Sequence, residues 1–353
     1  LHAQGAARVG VGVNYESFKF DTPADVGIES VSLMTLPFAA QYRVSNALAF
    51  ELLSAWASGS LVRADDTEST LSGPTDTEVR VVLGFGRDLL TITGAALLPT
   101  GSESISEDEL DVAGLVAADV LPFRISNWGT GGGAGINATI ARALGGFAAG
   151  LSVGYVVARE FDPLEEEDFT YRPGNQLSVR AAIDRTFGSA GKAALVLSMQ
   201  RYDSDEIQLP AEDNLFQSGE RYEAVGSYAF AAGATGAGIV YLGFMHRNQS
   251  EFVGEPAVLS AQDLMYGGAG IEFRRGGTLL RPNAEVRVLR RDDGIDQGYT
   301  ATAGVEAEIP AGGFTVVPRV RGRFGNILVR DDAESAFKGL DLGFAVRFGT
   351  SSP

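Results

Sequence analysis

Apolar and polar residues alternate with a period of two from one end of this chain to the other. Leu340, Leu342, Phe344, Val346 and Phe348 interleave with Asp341, Gly343, Ala345 and Arg347. Tyr299, Ala301, Ala303, Val305 and Ala307 stand against Thr300, Thr302, Gly304, Glu306 and Glu308. Leu177, Val179, Ala181 and Ile183 stand against Ser178, Arg180, Ala182 and Asp184. A strand turns successive side chains to opposite faces, so each such segment carries one apolar face and one that is polar, charged or very small. Sheet patterned this way over a whole chain has to separate two environments.

Reading the alternation along the chain gives about 16 segments of the length expected of membrane-crossing strands. They lie near 8–20, 30–44, 47–58, 76–86, 88–98, 130–142, 146–160 and 174–187, then 190–202, 218–231, 235–248, 263–274, 278–291, 298–309, 313–326 and 338–349. Tight turns are expected at Ser45-Asn46, Gly86-Arg87, Leu144-Gly145, Gly188-Ser189, Ala232-Gly233, Arg275-Gly276 and Pro310-Ala311. Between them fall longer polar stretches at 21–29, 59–75, 99–129, 161–173, 203–217, 249–262, 292–297 and 327–337. Short and long connections alternate, as short periplasmic turns and long extracellular loops do in a bacterial outer-membrane barrel. The fold class expected is therefore all-β: residues 1–353 as one closed antiparallel transmembrane β-barrel, both ends on the periplasmic side. A propeller would show a repeat of roughly 40–50 residues, and none is visible. A sandwich would not need so many strands with so uniformly apolar a face.

Composition fits a barrel better than a helical membrane protein. Mean hydropathy is only +0.05, and the longest apolar stretch, 145–158, is broken by four glycines and a serine. That is short of the roughly 20 apolar residues a helix needs to cross a bilayer. The 45 glycines have no Gly-X-Y period and suit curved sheet. Cysteine is absent, which excludes thiolate chemistry and zinc–thiolate sites. The net charge of −17 argues against nucleic acid as a partner. Leu1-His2-Ala3-Gln4 reads as the tail of a secretory cleavage site.

If the apolar face meets lipid, the charged one lines the lumen, because Arg or Lys at the bilayer midplane costs about 2–4 kcal/mol. Arg319, Arg321 and Arg323 share one face of 313–326, opposite Phe314, Val316, Val320 and Phe324. Arg180, Arg287, Glu306, Asp341 and Arg347 take the same face on their strands, and with the three arginines they are the expected pore-lining residues. Arg287, Glu306, Arg321 and Asp341, on four successive strands, are expected to form ion pairs between neighbours. Arg185, Arg201 and Arg290 point outward but at strand ends, where a long side chain reaches the head groups. Acid gathers in the long connections, at Asp65-Asp66-Glu68, 103–111, 165–168, 203–206, Asp292-Asp293 and Asp331-Asp332-Glu334. Such runs are solvated loops, or places where divalent cations bridge to lipopolysaccharide; no ligand set of calcium-loop spacing is present. No other cofactor is expected.

Asp341-Leu342-Gly343-Phe344-Ala345-Val346-Arg347-Phe348 resembles the carboxyl-terminal assembly signal of Gram-negative outer-membrane barrels, although 349–353 continues beyond the aromatic as a short tail. The resemblance implies a bacterial outer-membrane protein delivered by the barrel assembly machinery. Its other partners would be outer-membrane lipid and lipopolysaccharide, with association into homo-oligomers left open. The stretch 99–129 resembles the constriction loop of general porins in order and acidity, through Glu103, Glu107, Asp108, Glu109 and Asp111. Its apolar part, 112–123, is expected either to plug the lumen or to form an extra strand pair. Leu98-Pro99-Thr100-Gly101 is similar to an outer-membrane transporter family linked to phenol degradation. The functions implied are a porin-like channel for passive diffusion of small solutes or a substrate-specific transporter of hydrophobic or aromatic compounds. A structural or adhesion barrel is the third.

The chain is not expected to be an enzyme. It has two histidines, and His246 sits near a strand end with Asn248 and Ser250 at spacings of two, whereas a triad is assembled from separate segments. Gly131-Gly132-Gly133-Ala134-Gly135 leads into alternating residues rather than a helix, so it is a loop entering a strand and no phosphate cradle.

Overall fold

A computed structural model describes residues 6–86, 89–165, 170–188, 191–208, 213–233, 236–253, 257–292, 296–330 and 333–349. The expected cleavage-site tail at Leu1 and the residues after Gly349 lie outside these. Among the described residues, twenty-two strands and two short helices follow one another. The first part of the chain gives β1 (Ala6–Phe20), α1 (Pro23–Val26), β2 (Ile28–Ser45), β3 (Leu48–Arg63), β4 (Glu68–Pro74), β5 (Thr77–Phe85) and β6 (Leu90–Leu98). Next come α2 (Glu107–Val116), β7 (Gly133–Leu144), β8 (Phe147–Ala158), β9 (Thr170–Arg172), β10 (Gln176–Thr186), β11 (Lys192–Tyr202), β12 (Asp205–Gln208) and β13 (Asp213–Gln217). The last part gives β14 (Arg221–Ala231), β15 (Gly236–Arg247), β16 (Ser250–Phe252), β17 (Ala257–Leu259) and β18 (Gln262–Arg275). It ends with β19 (Thr278–Arg291), β20 (Asp296–Ala311), β21 (Phe314–Arg330) and β22 (Ala333–Gly349).

Sixteen of these strands form a closed antiparallel barrel, with β4 as an additional member of the same sheet. Each barrel strand pairs with the next along the chain, skipping the short pieces, and β22 returns to β1 through pairs such as Tyr15↔Leu342 and Val11↔Val346. Closure removes every free edge, the condition for a sheet to cross hydrocarbon with its backbone polar groups satisfied. Each of the sixteen alternating segments in the sequence overlaps one barrel strand.

The outer wall is apolar. Leu242 is 75% exposed and Ile136 59%, values that make physical sense only against lipid. On β1 the outward set is Val11, Val13 and Tyr15; on β22 it is Leu340, Leu342 and Phe344. The outward bases sit at the ends, as expected: Arg185 stacks over Phe147 at 4.8 Å and Phe187 at 5.1 Å. Arg201 meets Glu220 at 3.4 Å, and Arg290 meets Asp296 at 2.8 Å.

Several connections differ from their reading in the sequence. The stretch 59–75 is no long loop: β3 and β4 continue above β5 as a hairpin, with Leu61 and Leu71 buried inside it. Similarly, β21 and β22 extend through most of 327–337, burying Ile327, Ser335 and Phe337. In both places polar residues on the outward face masked a continuing alternation. The turn expected at Pro310-Ala311 falls at Gly312-Gly313, where Gly312 takes a φ of 66°. Parts of 161–173, 203–217 and 249–262 pair into a separate five-stranded sheet, in the order β17-β16-β13-β12-β9. Buried Asp205 ties it together, accepting hydrogen bonds from the Tyr171 hydroxyl at 2.8 Å and the Gly174 N–H at 2.7 Å. Burial pushes the Tyr171 hydroxyl above its ordinary value, and the charge of Asp205 adds to this.

The stretch between β6 and β7 forms α2 and irregular chain, not a strand pair, and turns into the barrel. Gly131 and Gly132, with φ of 72° and 80°, make the sharp return into β7. At Gly132 a Cβ would also stand 2.7 Å from the Leu97 carbonyl oxygen, so glycine is needed there on both counts.

Candidate solute pathway and constriction

The loop is fastened from both ends and along its length. At its base, the Asp76 carboxylate accepts the Gly101 N–H at 3.0 Å with one oxygen and the Thr130 N–H and hydroxyl, each at 2.8 Å, with the other. Helix α2 then leans on β2, β3 and β4, with Val112 and Val116 buried. Further on, the Val120 carbonyl accepts the Thr300 hydroxyl at 2.6 Å from β20. Asp119 meets Arg247 of β15 at 3.4 Å. The chain then turns back, where the Arg124 N–H donates to Glu16 of β1 at 3.0 Å and the Trp128 indole donates to the Ala57 carbonyl at 3.2 Å. The segment thus spans from one side of the lumen toward the other and returns.

Its apolar residues pack on a part of the inner wall that is itself apolar. Phe18, Phe20, Val31, Leu33, Leu61, Leu71 and Phe337 form a buried cluster with Val112, Val116, Val120, Leu121 and Trp128. Phe18 meets Phe123 edge-on at 5.0 Å and Phe337 at 5.3 Å. The inner face is therefore not uniformly polar or small, as the alternation suggested. Beside the loop it is a hydrophobic core. Gly59 makes the fit possible: a Cβ there would stand 2.8 Å from Val112 Cγ1 and 3.1 Å from Trp128 Cη2.

Just below the loop lies the charged cluster. Glu16 and Asp341 are fully buried. Arg323 donates to Glu16 at 2.7 Å and to Asp341 at 3.2 Å, and lies over the Phe18 ring at 5.3 Å. Arg319 donates to Asp341 and to Asn14, both at 2.9 Å. Arg321 and Arg124 stand farther off, 3.9 Å and 3.7 Å from Asp341. Two carboxylates thus sit among four guanidiniums at mid-depth, with a cavity of about 640 Å³ beside them. A buried pair this closely hydrogen-bonded is held mostly by the cost of breaking it, since either partner alone would be a charge stranded out of water.

The remaining expected lumen residues are dispersed. Arg287 bonds Glu285 of its own strand at 2.6 Å. Glu306 meets Arg281 at 3.3 Å, and Arg347 meets Glu308 at 2.9 Å. The expected chain of ion pairs through Arg287 and Glu306 does not form, because the β19–β20 register sets Thr300 opposite Arg287 and Arg281 opposite Glu306. Arg180 lies on the other wall, between Ser152 and Ser198 in register. That wall is lined by hydroxyls and glycine. Thr139 and Ser152 share a hydrogen bond of 2.9 Å, and Ser152 donates to Asn137 at 2.9 Å.

The loop acids do not face the arginine wall, contrary to the sequence reading. The Glu109 carboxylate accepts the Ser106 N–H at 2.9 Å at the start of α2. Asp111 pairs with Arg63 at 2.7 Å and Asp108 stands 3.9 Å from it. Glu107 is exposed and Glu103 half-buried. The apolar stripe of α2 takes the lumen wall, so its acids turn the opposite way, and three of them favourably occupy its first turn. What faces the arginines instead is Arg124, with Glu16 and Asp341 behind. The sequence reading missed Glu16, Asn14, Asp76 and Arg124. Glu16 and Asn14 follow Gly10 and Gly12 on the inward face of β1, and Arg124 is the one base in 99–129, so signals existed for these. Nothing local marks Asp76, which is defined only by where the loop ends meet.

His246 and Asn248 do come together. The ring bonds Asp263 at 2.7 Å and Asn248 at 3.1 Å, whereas the Ser250 hydroxyl accepts the Gly219 N–H at 3.0 Å. Among the described residues no group of acids and histidines has the geometry to hold a metal ion.

An apolar belt outside, a charged lumen, a closed even-stranded sheet and a loop folded inward occur together in one setting. The chain has the fold of an outer-membrane β-barrel. No protein-family model and no curated protein matches its sequence. Among solved structures it is similar to OmpT, an outer membrane protein of Vibrio cholerae, with 12% identity over 99% of both chains and a TM-score of 0.44. It is also similar to a mutant of the porin of Rhodopseudomonas blastica, with 14% identity over 98% of this chain and 100% of that one and a TM-score of 0.41. A barrel fold is ambiguous about activity, and the exclusion of enzymatic function drawn from the sequence is withdrawn.

Proposed function

We propose that this barrel is a passive channel for small polar solutes across the bacterial outer membrane, with its narrowest part at the level of Arg124, Arg321 and Arg323. The observation that carries this reading is the inward loop packed on one side of the lumen only. The β6–β11 side keeps a lining of hydroxyls, glycine and Arg180, which suits water and hydrated solutes. A barrel of about 16 strands is wide enough to leave an aqueous passage beside such a loop. In this reading Arg287, Glu306, Arg319, Asp341 and Arg347 hold the charged wall in place as well as lining it. A pathway for hydrophobic compounds gains no support, since Phe18, Phe20 and Phe337 are sealed beneath the loop and the inward Tyr241 and Tyr266 hydrogen-bond to Glu285 and Glu223. Purified protein in planar bilayers should give large, steady, voltage-tolerant conductance steps. Protein that shows the heat-dependent gel mobility of a folded barrel yet stays silent in the bilayer would refute the reading.

A further inference from the structure

The chain as a whole is strongly acidic, yet the cavity beneath the loop is basic. Five arginines line it, Arg124, Arg281, Arg287, Arg321 and Arg323, against three glutamates, Glu16, Glu272 and Glu285. Arg281 is matched by Glu272 at 2.8 Å and Glu308 at 2.6 Å, and Arg287 by Glu285. The excess therefore falls on Arg124, Arg321 and Arg323, which with Arg319 share only Glu16 and Asp341. Moreover, Arg321 Nε and Arg323 Nε and Nη1 are buried without an acceptor. Buried donors in native proteins are nearly always satisfied, so orphaned guanidinium nitrogens beside a cavity point to a missing acceptor. None of the loop's six acids, which would repel an anion, lines the cavity. The rest of the lining is mixed: Tyr241, Asn283 and Thr302 are polar, whereas Pro122, Ala229, Ala237 and Ile239 offer apolar surface.

We propose that this cavity binds small organic anions, a carboxylate against the arginines and a compact apolar body against Pro122, Ala229, Ala237 and Ile239, and that it sets the solute preference of the barrel. This rests on the channel reading and names its solute class. The volume lies within the roughly 300–1,000 Å³ typical of small-molecule sites. Guanidinium is the group best matched to a carboxylate, through paired N–H donors. Local excess charge at a narrowing also raises the concentration of the oppositely charged solute.

The test is calorimetric titration of the full-length barrel in detergent with benzoate and, separately, with benzylamine, which has a similar ring and the opposite charge. Arg124 and Arg321 are the variants of choice because both side chains are partly exposed and neither guanidinium makes a short contact to Glu16 or Asp341. Folding of the R124Q/R321Q protein is checked by heat-dependent gel mobility. Benzoate should bind the native protein, benzylamine should not, and the double variant should bind benzoate about ten-fold more weakly or worse. Absence of benzoate binding, equal binding of benzylamine, or unchanged affinity in the folded double variant would each overturn the proposal. A conductance trace keeps the two readings apart. Silence in the bilayer refutes the channel while the titration still judges the site, and a conducting barrel that ignores benzoate refutes the site alone.

Discussion

Two halves of this barrel obey the same alternation and do opposite things with it. Around the middle of β7, β8 and β10 the inward residues include Gly135, Asn137, Thr139, Gly150, Ser152, Gly154 and Ser178, and Arg180 stands among them without a carboxylate opposite it in register. Along β1 to β4 and β19 to β22 the inward residues beside the loop include Phe18, Phe20, Val31, Leu33, Leu61, Leu71, Leu289, Ile327 and Phe337, and they form a hydrophobic core with the loop above a buried charge cluster. In the first half the sheet is a wall facing water. In the second it is a scaffold carrying a second structure inside it. The difference teaches that inward does not mean wet in such a barrel: what the inner face meets is decided by the loop, which the strand pattern does not describe.

The comparison breaks most directly if the loop is taken away. Its base is already closed: Gly129 lies against the Ser102 backbone, where a Cβ would stand 2.5 Å from the carbonyl oxygen. Excising 103–128 and joining Ser102 to Gly129 should therefore leave the sixteen-strand pairing intact. Both halves would then face water, and single-channel conductance should rise roughly two-fold or more, as expected of an unobstructed barrel of this width. Exposed Phe18, Phe20 and Phe337 should bind a fluorescent apolar dye that the native protein ignores. Unchanged conductance would mean that the loop does not limit the path.

Next in size is the charge cluster. Replacing fully buried Glu16 by alanine removes the 2.7 Å partner of Arg323 and the acceptor of the Arg124 N–H. Leaving a buried guanidinium short of its carboxylate should cost about 3–5 kcal/mol, read as denaturant unfolding from lipid bilayers. E16Q keeps an acceptor for the Arg124 N–H and should recover part of that loss. A cost no larger than that of a surface ion pair, under about 1 kcal/mol, would show that water reaches the cluster freely. Smaller again is G59V, which places a Cβ 2.8 Å from Val112 Cγ1. Overpacking of this kind should cost about 1–3 kcal/mol and should loosen the loop, adding noise to the open-channel current.

The sheet was legible in the sequence because period two is a direct imprint of strand geometry, and every barrel strand carries it over many residues. The outward bases were legible for the same reason, since Arg185, Arg201 and Arg290 stood out as exceptions at strand ends. The loop was not, because its placement depends on contacts that join distant parts of the chain. Val112 and Val116 become lumen residues only through packing on β2 to β4, and that choice rotates Glu107, Asp108 and Asp111 away from the arginines. Register was similarly hidden. A one-residue slip flips every side chain to the other face, so alternation fixes faces, but it leaves open even-numbered shifts, and an offset of six residues separates Arg281, which stands opposite Glu306, from Arg287. The outer sheet of β9, β12, β13, β16 and β17 consists of pieces of three to five residues, too short to show any period.

The finest test of the contrast lies on the bare wall. Ser152 donates to Asn137 at 2.9 Å and shares a hydrogen bond with Thr139, also at 2.9 Å. In a core, losing such a hydroxyl would strand its partners and cost up to about 3 kcal/mol. Against water the partners are resolvated, so S152A should cost under about 1 kcal/mol. Its unfolding midpoint should therefore lie close to that of the native protein, and well above those of E16A and G59V measured in the same bilayers. A loss as large as that of G59V would mean that this side of the lumen is packed as well, and the asymmetry on which the path through the barrel depends would be gone.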